Sequence, residues 1–302
     1  MRWHTARKAY MKNTDVQFKK IVIFGAGLIG GSFALALRRD HPEIEVVGFG
    51  RSLETLKLAK ELNILDRIGE DTASEVGTSD MVLLATPVGK MGELMRKIAP
   101  FLTERTLVTD GGSTKCDVVS AAYENLGDKV SRFIPAHPIA GAELSGPEAA
   151  RADLYIGKKV VLTPLPENSR EDVLKVRKAW EACGANVSEL TPEMHDEVFA
   201  AVSHLPHLLS FALVHDIAER KDKDLLLSFA ASGFRDFTRI AASSPEMWRD
   251  ICLANRAALL RELKGYADEL YAIYQALEMS DAAKLENIFS IARDVRSNWN
   301  KH

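Results

Sequence analysis

The sequence predicts an α/β protein in which a doubly wound parallel sheet is followed by an all-helical domain. Short apolar runs alternate with stretches of helical periodicity through the first 190 residues, which is the pattern of strand–helix–strand units. A glycine-rich turn joins the first apolar run to the first helical stretch. Beyond residue 190 no apolar run has the character of a strand, so the last third of the chain is expected to be helical.

Composition and charge narrow the class of protein. The chain has 302 residues, of which 46% are hydrophobic and 27% charged, and its net charge is −3. These values indicate a globular protein of about two domains, and the small charge argues against nucleic acid or an acidic membrane as a partner. Cys116, Cys183 and Cys252 are far apart and show no metal-ligand spacing. A sparse, odd number of cysteines fits a reducing compartment, so we expect a cytoplasmic protein without a metal site.

Three segments are predicted along the chain: an N-terminal arm over residues 1–19, a first domain over residues 20–190 and a helical domain over residues 191–302. The arm is basic and has no apolar run after its charges, so we expect it to be frayed and not to be a secretory signal. Thr191 begins the helical domain because it is a favourable N-cap and Pro192 suits the first helical position.

Six strands are predicted in the first domain, with helices between most of them. The strands are placed on short apolar runs at residues 21–24, 45–49, 81–86, 106–109, 133–136 and 159–162. Helical periodicity is found at residues 32–39, 53–62 and 92–98. Alternation of this kind implies that the strands form one parallel sheet.

The turn after the first strand has the spacing of a dinucleotide-binding loop. It lies between a strand and a helix, the context in which a G-x-G-x-x-G pattern is informative. Gly25 permits the tight turn, Gly27 lets the backbone approach the pyrophosphate, and Gly30 lets the helix pack closely. The N-terminus of the helix then directs free N–H groups at the phosphates. The sequence therefore predicts a Rossmann-type domain, with a purely structural turn as the alternative. The residues assigned to the cofactor here are Gly25, Gly27, Leu28, Ile29, Gly30, Thr86 and Pro87.

The end of the second strand bears on the choice between NAD and NADP. Gly50 lies twenty residues after Gly30, where an NAD-specific site has an acidic residue for the ribose 2′-hydroxyl. Arg51 and Ser52 follow and suit a 2′-phosphate, so both are assigned to the cofactor site and NADP is favoured. The alternative is a solvated arginine beside a site that accepts NAD.

The loop after the fifth strand holds the candidate base. Its one imidazole, His137, is placed where the strand becomes a Gly/Pro-rich loop. Ligands of open α/β sheets bind beyond the carboxyl ends of the strands, and histidine is the side chain best suited to proton transfer near neutral pH. Ser113, after the fourth strand, is expected at the same edge, where it hydrogen-bonds a substrate hydroxyl or the catalytic imidazole. A loop histidine and a helix-capping serine are the alternatives.

Two polar clusters interrupt the helical domain. His204 and His207 lie three residues apart on one face of a helix. A metal would need a third ligand, which is not apparent, whereas a polar substrate between the domains would supply hydrogen-bond partners. Arg235 and Arg239 are four residues apart, and their guanidinium groups suit carboxylates. Surface ion pairs are the alternative for these two arginines.

The helical domain is expected to form a homodimer. Residues 198–218 are apolar nearly all round, as in a helix buried on every side, and Pro206 is expected to kink this helix. Helices this apolar in so small a domain are expected to be buried against a second subunit. A second apolar seam, for another helix, is formed by Leu263, Ala267, Leu270, Tyr274 and Leu277.

Taken together and in this order, the motifs resemble the prephenate/arogenate dehydrogenase (cyclohexadienyl dehydrogenase) family of tyrosine biosynthesis. The matching stretches are residues 25–31, 110–115, 137–146, 203–207 and 233–240, followed by 244–248. The resemblance implies a dinucleotide-binding domain, a helical dimerisation domain and an active site between them. It also implies the reaction, in which hydride leaves C4 of a cyclohexadienol for NAD(P), carbon dioxide is lost and the ring becomes aromatic.

The resemblance assigns roles to individual residues. His137 is similar to the base that hydrogen-bonds the C4 hydroxyl, Ser113 to the residue that orients this hydroxyl and the imidazole, and Arg239 to the arginine that binds a substrate carboxylate. Arg235 is similar to a basic residue that reaches the pocket of the partner subunit. The other residues implied to bind substrate are His204, His207, Gly233, Trp248 and Glu143, an acidic gate residue.

Two positions depart from the family pattern, and two other functions remain as alternatives. Ala142 stands where threonine is common, and Gly50 where many members have an acidic residue. A β-hydroxyacid dehydrogenase would be expected to use a lysine on the interdomain helix, where this sequence has His204 and His207. A non-catalytic NADP-sensing protein would keep the glycine turn but would not need the candidate base and the substrate-binding arginine together.

Overall fold

The structure is a computed structural model that describes residues 16–141 and 145–299. The described residues form two compact units, one ending at Asn255 and one beginning at Arg256. The predicted site residue Glu143 and its neighbour Ala142 lie outside the described residues, as does the predicted arm up to residue 15. Phe18, which the sequence places in the arm, is 5% exposed and packs into the core of the first unit.

The first unit is built on a six-stranded parallel sheet with the strand order β3-β2-β1-β4-β5-β6. This is the doubly wound order that binds nucleotides where the strand order reverses, and it confirms the predicted fold class. Two short strands, β3 and β6, lie at the edges of the sheet. The strands are β1 (Lys20–Phe24), β2 (Glu45–Phe49), β3 (Arg67–Ile68), β4 (Met81–Leu84), β5 (Leu107–Asp110) and β6 (Phe133–Ile134).

Helices cover both faces of this sheet, so its strands are apolar on both sides. Ile21 and Ile23 point into one cluster of buried side chains, whereas Val22 and Phe24 point into the other. Polar caps set several helix starts; for example, Asp71 accepts hydrogen bonds from the N–H groups of Ala73 and Ser74. The helices are α1 (Leu28–Asp40), α2 (Leu53–Glu61), α3 (Thr72–Gly77), α4 (Met91–Ile98), α5 (Cys116–Leu126) and α6 (Arg170–Ala182).

A second, three-stranded sheet corrects two predictions. It contains β7 (Ala136–Pro138), β8 (Lys159–Leu162) and β9 (Asn186–Glu189), with β8 antiparallel to β7 and parallel to β9. The strand predicted at residues 159–162 therefore exists but lies outside the main sheet. His137 was expected where strand becomes loop, yet it lies in the middle of β7 opposite Val161. Pro135 separates β6 from β7 and has no N–H to donate, so the chain changes sheets there.

A long helix follows the second sheet. It consists of α7 (Pro192–Phe199), a π-helical turn (Ala200–His204) and α8 (Leu205–Ala218). As predicted, Thr191 caps its start by accepting a hydrogen bond from the N–H of Met194. The irregularity expected from Pro206 takes the form of the π turn before it, because proline lacks the N–H for an α-helical bond.

In the single chain this helix is not buried on every side, and part of its apolar surface is left for the second subunit that the sequence predicts. Val202 is 67% exposed and Leu213 37% exposed. The helix Pro192–Ala218 is long and apolar enough to span a membrane, and only 28% of its most apolar window is buried. However, its buried polar residues His195, Asp196 and His204 hydrogen-bond to other parts of the first unit, as expected for a helix packed in a protein interior.

The remaining elements are helical, as predicted, and among the described residues after β9 there is no strand. In the first unit they are α9 (Lys223–Ser228), α10 (Ser232–Thr238), a 3₁₀ turn (Arg239–Ala242) and α11 (Pro245–Ala254). The second unit consists of α12 (Arg256–Glu278) and α13 (Ala282–Trp299), which pack against each other. Leu270, Tyr274 and Leu277 of the predicted seam are largely exposed.

A fully buried ion pair fixes the carboxyl end of β5. The Nζ of Lys115 lies 2.5 Å from an Oδ of Asp110, and both side chains are 0% exposed. The Asp110 carboxylate also accepts hydrogen bonds from the N–H groups of Gly112, at 2.8 Å, and Ala136, at 2.9 Å. The pair therefore joins β5, the start of α5 and β7.

Replacing Lys115 alone should destabilise the protein strongly. Lys115→Met should lower the free energy of unfolding by about 3–5 kcal/mol, because Asp110 would be left charged and buried without its partner. Urea unfolding followed by circular dichroism measures the change. Lys129→Met is a matched control, since Lys129 pairs with Glu104 at the surface and such pairs contribute little. The double variant Asp110→Asn/Lys115→Met should recover part of the loss. A Lys115→Met variant as stable as the wild type would contradict the argument.

Candidate active site

The glycine turn has the geometry that a dinucleotide requires. Gly25 has a φ of +100°, and its N–H donates to the carbonyl of Phe49 at 2.9 Å. A Cβ on Gly30 would lie 2.2 Å from the carbonyl oxygen of Gly25, so only glycine fits there. A Cβ on Gly27 would meet nothing nearer than the backbone of Gly146, at 3.9 Å, among the described residues. Gly27 therefore leaves room for a ligand at the N-terminus of α1, where anions are favoured.

The other predicted cofactor residues surround this turn. Leu28 and Ile29 form the first turn of α1. The Cγ2 of Ile29 lies 2.9 Å from the position of a Cβ on Gly111, so the end of β5 packs against the glycine turn. Thr86 and Pro87 follow β4, and the Oγ1 of Thr86 is buried without a hydrogen-bond partner among the described residues. A buried hydroxyl of this kind usually finds a partner, and a bound cofactor would provide one.

The end of β2, where the sequence predicts the ribose 2′ position, is open. Gly50 and Arg51 are exposed, and a Cβ on Gly50 would make only an ordinary contact with Leu56, at 3.4 Å. Ser52 is the N-cap of α2 and accepts a hydrogen bond from the N–H of Thr55 at 3.2 Å. The hydroxyl hydrogen of Ser52 can still be donated to a ligand.

His137 is linked to two residues that the sequence analysis did not identify. Its Nδ1 lies 2.8 Å from the Nε2 of His195, and the Nδ1 of His195 lies 2.8 Å from an Oδ of Asp196. The ring centroid of Phe199 lies 4.9 Å from the ring centroid of His137 and 4.5 Å from that of His195. The three polar side chains are buried and form one chain of hydrogen bonds, which we call the Asp196–His195–His137 relay.

Asp196 fixes the direction of this relay. Its carboxylate accepts hydrogen bonds from the N–H groups of Lys115, at 2.8 Å, and Cys116, at 2.9 Å, where α5 begins. Burial opposes ionisation, but these bonds and the one from His195 outweigh it and lower the pKa of Asp196. An ionised carboxylate only accepts, so His195 must donate from Nδ1. Its Nε2 then accepts from the Nδ1–H of His137, and the Nε2 of His137 is left with a free lone pair.

The electrostatic surroundings keep this lone pair available. Burial lowers the pKa of His137 well below the usual 6.5, and His195, Lys115 and His204 add to the effect. Burial also lowers the pKa of His195. His137 is therefore neutral at pH 7 and has one nitrogen able to accept a proton.

His204, His207 and Trp248 form an aromatic cluster beside the relay. The ring of His207 stacks on Trp248 with centroids 3.7 Å apart, and its Nδ1 donates to the carbonyl of Ser203 at 2.8 Å. The ring of His204 meets Trp248 edge-on at 6.1 Å. Burial lowers the pKa of His204 to about 4, and the main chain of Ser113 lies close enough to act on it. The main chain of Ser113, His137 and His204 therefore lie in one region.

The predicted arginines and Gly233 lie in α10 and in the 3₁₀ turn that follows it. Gly233 and Arg235 in α10 and Arg239 just after it are exposed in the single chain. Burial is the main cause of the lowered pKa of His207, and the charge of Arg239 contributes, which places Arg239 close to His207. Asp250, one alternative partner for these arginines, pairs with Arg249 at 2.7 Å.

The sequence analysis did not identify His195 and Asp196 as candidate site residues. Their only sequence signal is a His–Asp pair in the first turns of a helix that begins at Thr191. Their partner His137 is 58 positions away, so the contact depends on the fold. Among residues 16–141 and 145–299, no cluster of three or more His, Cys, Asp or Glu side chains is placed to hold a metal ion.

Comparisons with known proteins agree with this geometry. Residues 33–189 match the family model for the nucleotide-binding domain of prephenate dehydrogenase, and residues 191–291 match the model for its dimerization domain. The chain is 34% identical to cyclohexadienyl dehydrogenase of Zymomonas mobilis, over 92% of this chain and 95% of that protein. It is 36% identical to prephenate dehydrogenase of Bacillus subtilis, over 91% of this chain and 75% of that protein.

Solved structures show the same likeness. Prephenate dehydrogenase from Aquifex aeolicus, in complex with hydroxyphenyl propionate and NAD⁺, superposes with a TM-score of 0.87 at 34% identity, over 94% of this chain and 99% of that one. Arogenate dehydrogenase from Synechocystis gives a TM-score of 0.77 at 30% identity, over 93% and 99% of the two chains. With its doubly wound sheet, its glycine turn and both domain models matched, the chain belongs to the prephenate dehydrogenase family.

Proposed function

We propose that the protein oxidises prephenate, arogenate or both, with loss of carbon dioxide and transfer of hydride to a nicotinamide cofactor. The observation that carries this proposal is the relay, which leaves a buried, neutral His137 with a free Nε2. This base lies next to Pro138, whose ring is 3.8 Å from the position of a Cβ on Gly111, the residue after β5 that also faces Ile29 of the glycine turn. The relatives named above support the same activity.

The residues of the chain account for the steps of this reaction. Bound at the glycine turn, the nicotinamide cofactor supplies the acceptor for the hydride that leaves C4. The Nε2 of His137 accepts the proton of the C4 hydroxyl as the C4–O bond becomes a carbonyl. Carbon dioxide then leaves, the ring becomes aromatic, and His137 returns the proton to the oxygen. Aromatisation drives the reaction, so the protein mainly positions the reactants and supplies one base.

Positive charge and aromatic surface bind the anionic substrate in this proposal. Arg239 pairs with a substrate carboxylate, because a guanidinium stays charged in a partly dry pocket. His207 and Trp248 form the adjoining wall, and Ser113 orients the C4 hydroxyl. Gly233 and Glu143 keep the substrate-binding roles that the family resemblance implies for them.

The proposal includes a homodimer in the cytoplasm. The outward side of α7 and α8 is apolar and exposed in the single chain, as at Val202. Exposed apolar surface of this kind marks an interaction site, and the region matches the dimerization-domain model. Arg235, exposed on α10, would then reach the pocket of the partner subunit. The three cysteines are free thiols, as expected in a reducing compartment.

The alternatives are less well supported. A β-hydroxyacid dehydrogenase would be expected to use a lysine on the interdomain helix, and residues 192–218 contain none. A non-catalytic NADP sensor gives no reason for a relay that frees one nitrogen of a buried histidine.

Turnover assays test the function directly. Absorbance at 340 nm should rise when the wild type is given prephenate or arogenate with NAD or NADP. His137→Asn should lower kcat by about 10²–10⁴ while substrate binding is largely kept. Because the pKa of His137 is lowered, the unprotonated form persists at neutral pH, and kcat/KM should fall only as the pH drops below 6.5. Binding of cofactor without turnover for any pair would identify a sensor and contradict the proposal.

Removing the charge at the carboxylate end of the relay should also weaken the base. The N–H of Lys115 and the Nδ1–H of His195 share one oxygen of Asp196, whereas the N–H of Cys116 binds the other oxygen. The amide of Asp196→Asn has a single oxygen, so at least one of these donors would face its NH₂ group, and no fixed charge would hold the hydrogen of His195 on Nδ1. Part of the His195 population would then donate from Nε2, which moves the proton of His137 to the nitrogen that must accept. We expect kcat to fall by about 10²–10⁴ with a smaller change in KM. Asp117→Asn, which alters another partly buried carboxylate of α5, is the control. Equal activity of the two variants would argue against the relay.

NADP is the cofactor that we propose to be favoured, with NAD as the alternative seen in the Aquifex aeolicus complex. Support comes from the exposed Arg51 and from the lack of an acidic side chain at Gly50. Gly50→Asp should shift preference toward NAD, because the new carboxylate would repel a 2′-phosphate and accept from a 2′-hydroxyl. Gly50→Asn is the uncharged control. The measurement is kcat/KM for both cofactors, and a wild type that already prefers NAD tenfold would contradict this assignment.

A further inference from the structure

His204 has a buried ring nitrogen that the fold leaves without a partner. The side chain is 1% exposed, and its Nε2 is buried with no hydrogen-bond partner among the described residues. Buried polar atoms of this kind are costly unless something binds to them. Whether the atom donates or accepts depends on which of the two ring nitrogens carries the hydrogen.

Asn255 decides this question. Its Nδ2 lies 2.7 Å from the carbonyl oxygen of Asp196 and 3.1 Å from the Nδ1 of His204. The backbone carbonyl can only accept, so the atom facing it must be the amide nitrogen and not the amide oxygen. The second hydrogen of the same NH₂ group then points at His204, and Nδ1 of His204 must accept it. The hydrogen of the neutral imidazole is therefore on Nε2.

We propose that Asn255 is a positioning residue that fixes His204 as the Nε2–H tautomer, and that this N–H donates to the C4 oxygen of the bound substrate. The second half of the proposal rests on the proposed function. His204 and His137 then have opposite roles: His137 takes the proton of the hydroxyl, and His204 stabilises the oxygen from which it comes. His204 keeps its own proton throughout.

The surroundings of His204 agree with this assignment. The main chain of Ser113 lies close enough to the ring to raise its pKa, although it makes no well-formed hydrogen bond to Nε2, and the ring contributes to the lowered pKa of His137. We place His204 beside the C4 hydroxyl because Ser113 and His137 are the residues proposed to hold that hydroxyl. Protonation would put a hydrogen on Nδ1, against the hydrogens of the Asn255 amide. The contact therefore favours the neutral ring, in line with a pKa of about 4 that burial mainly causes.

A tautomer measurement tests the first half without any assay of activity. Nitrogen-15 spectra of protein labelled at histidine distinguish a ring nitrogen that carries hydrogen from one that does not, and His204→Gln identifies the signals of His204. At pH 7 the wild type should show Nε2–H alone. Asn255→Ala should give a mixture of both tautomers, whereas Asn125→Ala, at a half-buried asparagine whose amide donates to Ala121, should change nothing. A wild type with hydrogen on Nδ1 would overturn the proposal.

Two substitutions of His204 test the second half. The amide nitrogen of glutamine reaches the place of Nε2, whereas that of asparagine reaches the place of Nδ1. His204→Gln should therefore keep kcat within about tenfold, and His204→Asn should lower it by about 10²–10³, as for the loss of one oxyanion donor. Asn255→Ala should lower kcat more than it raises KM.

The outcomes separate this inference from the proposed function. Equal losses in His204→Gln and His204→Asn, with a wild type that turns over, would overturn the role of His204 alone. A wild type that turns over neither substrate with either cofactor would overturn the proposed function and the second half of the inference together. The tautomer assignment would not be affected by that outcome, because the nitrogen-15 spectra test it independently.

Discussion

The structure of the site depends on one buried carboxylate, that of Asp196. It sits at the N-terminus of α5, where two backbone N–H groups and the helix dipole favour an anion. The same carboxylate holds the Nδ1 of His195, and the backbone carbonyl of Asp196 holds the amide of Asn255. A single residue of α7 therefore attaches the long helix to the nucleotide-binding part and sets the hydrogen positions of three imidazoles.

Lys115 connects this network to a second one. Its backbone N–H donates to Asp196, and its Nζ pairs with Asp110 in the interior. Asp110 in turn holds the N–H of Ala136, the residue before His137. The position of His137, the proposed base, and the orientation of its ring are thus set by the side chain and the backbone of one residue, Lys115. Networks of buried polar groups stabilise a unique arrangement only when every member is satisfied. Replacing Asp110 or Asp196 is therefore expected to displace the side chain of His137.

Local signals in the sequence predicted the strands, turns and helix starts around the site, but not the hydrogen bonds between distant residues within it. The glycine turn, the strands at residues 45–49 and 159–162 and the N-cap at Thr191 depend on neighbours in sequence, and all are present. β8 belongs to a separate sheet because β6 ends just before Pro135 and β7, which pairs with β8, begins directly after it. The spacing of apolar residues along the sequence does not encode this change of sheet. His195 was overlooked because its role comes from contact with His137, and no local pattern marks a contact between distant residues.

The π turn at Ala200–His204 has a consequence for how this helix presents its side chains. His204 follows His195 by nine residues, about two and a half turns of an α-helix, which would put the two rings on opposite sides. A π turn winds less per residue and rotates His204 back toward the side of His195, where Asn255 spans Asp196 and His204. The direction in which side chains point therefore changes partway along the helix. A single helical wheel drawn for residues 192–218 spreads the polar side chains of one face over all angles. The helix then looks apolar all round, although one side of it is polar toward the site.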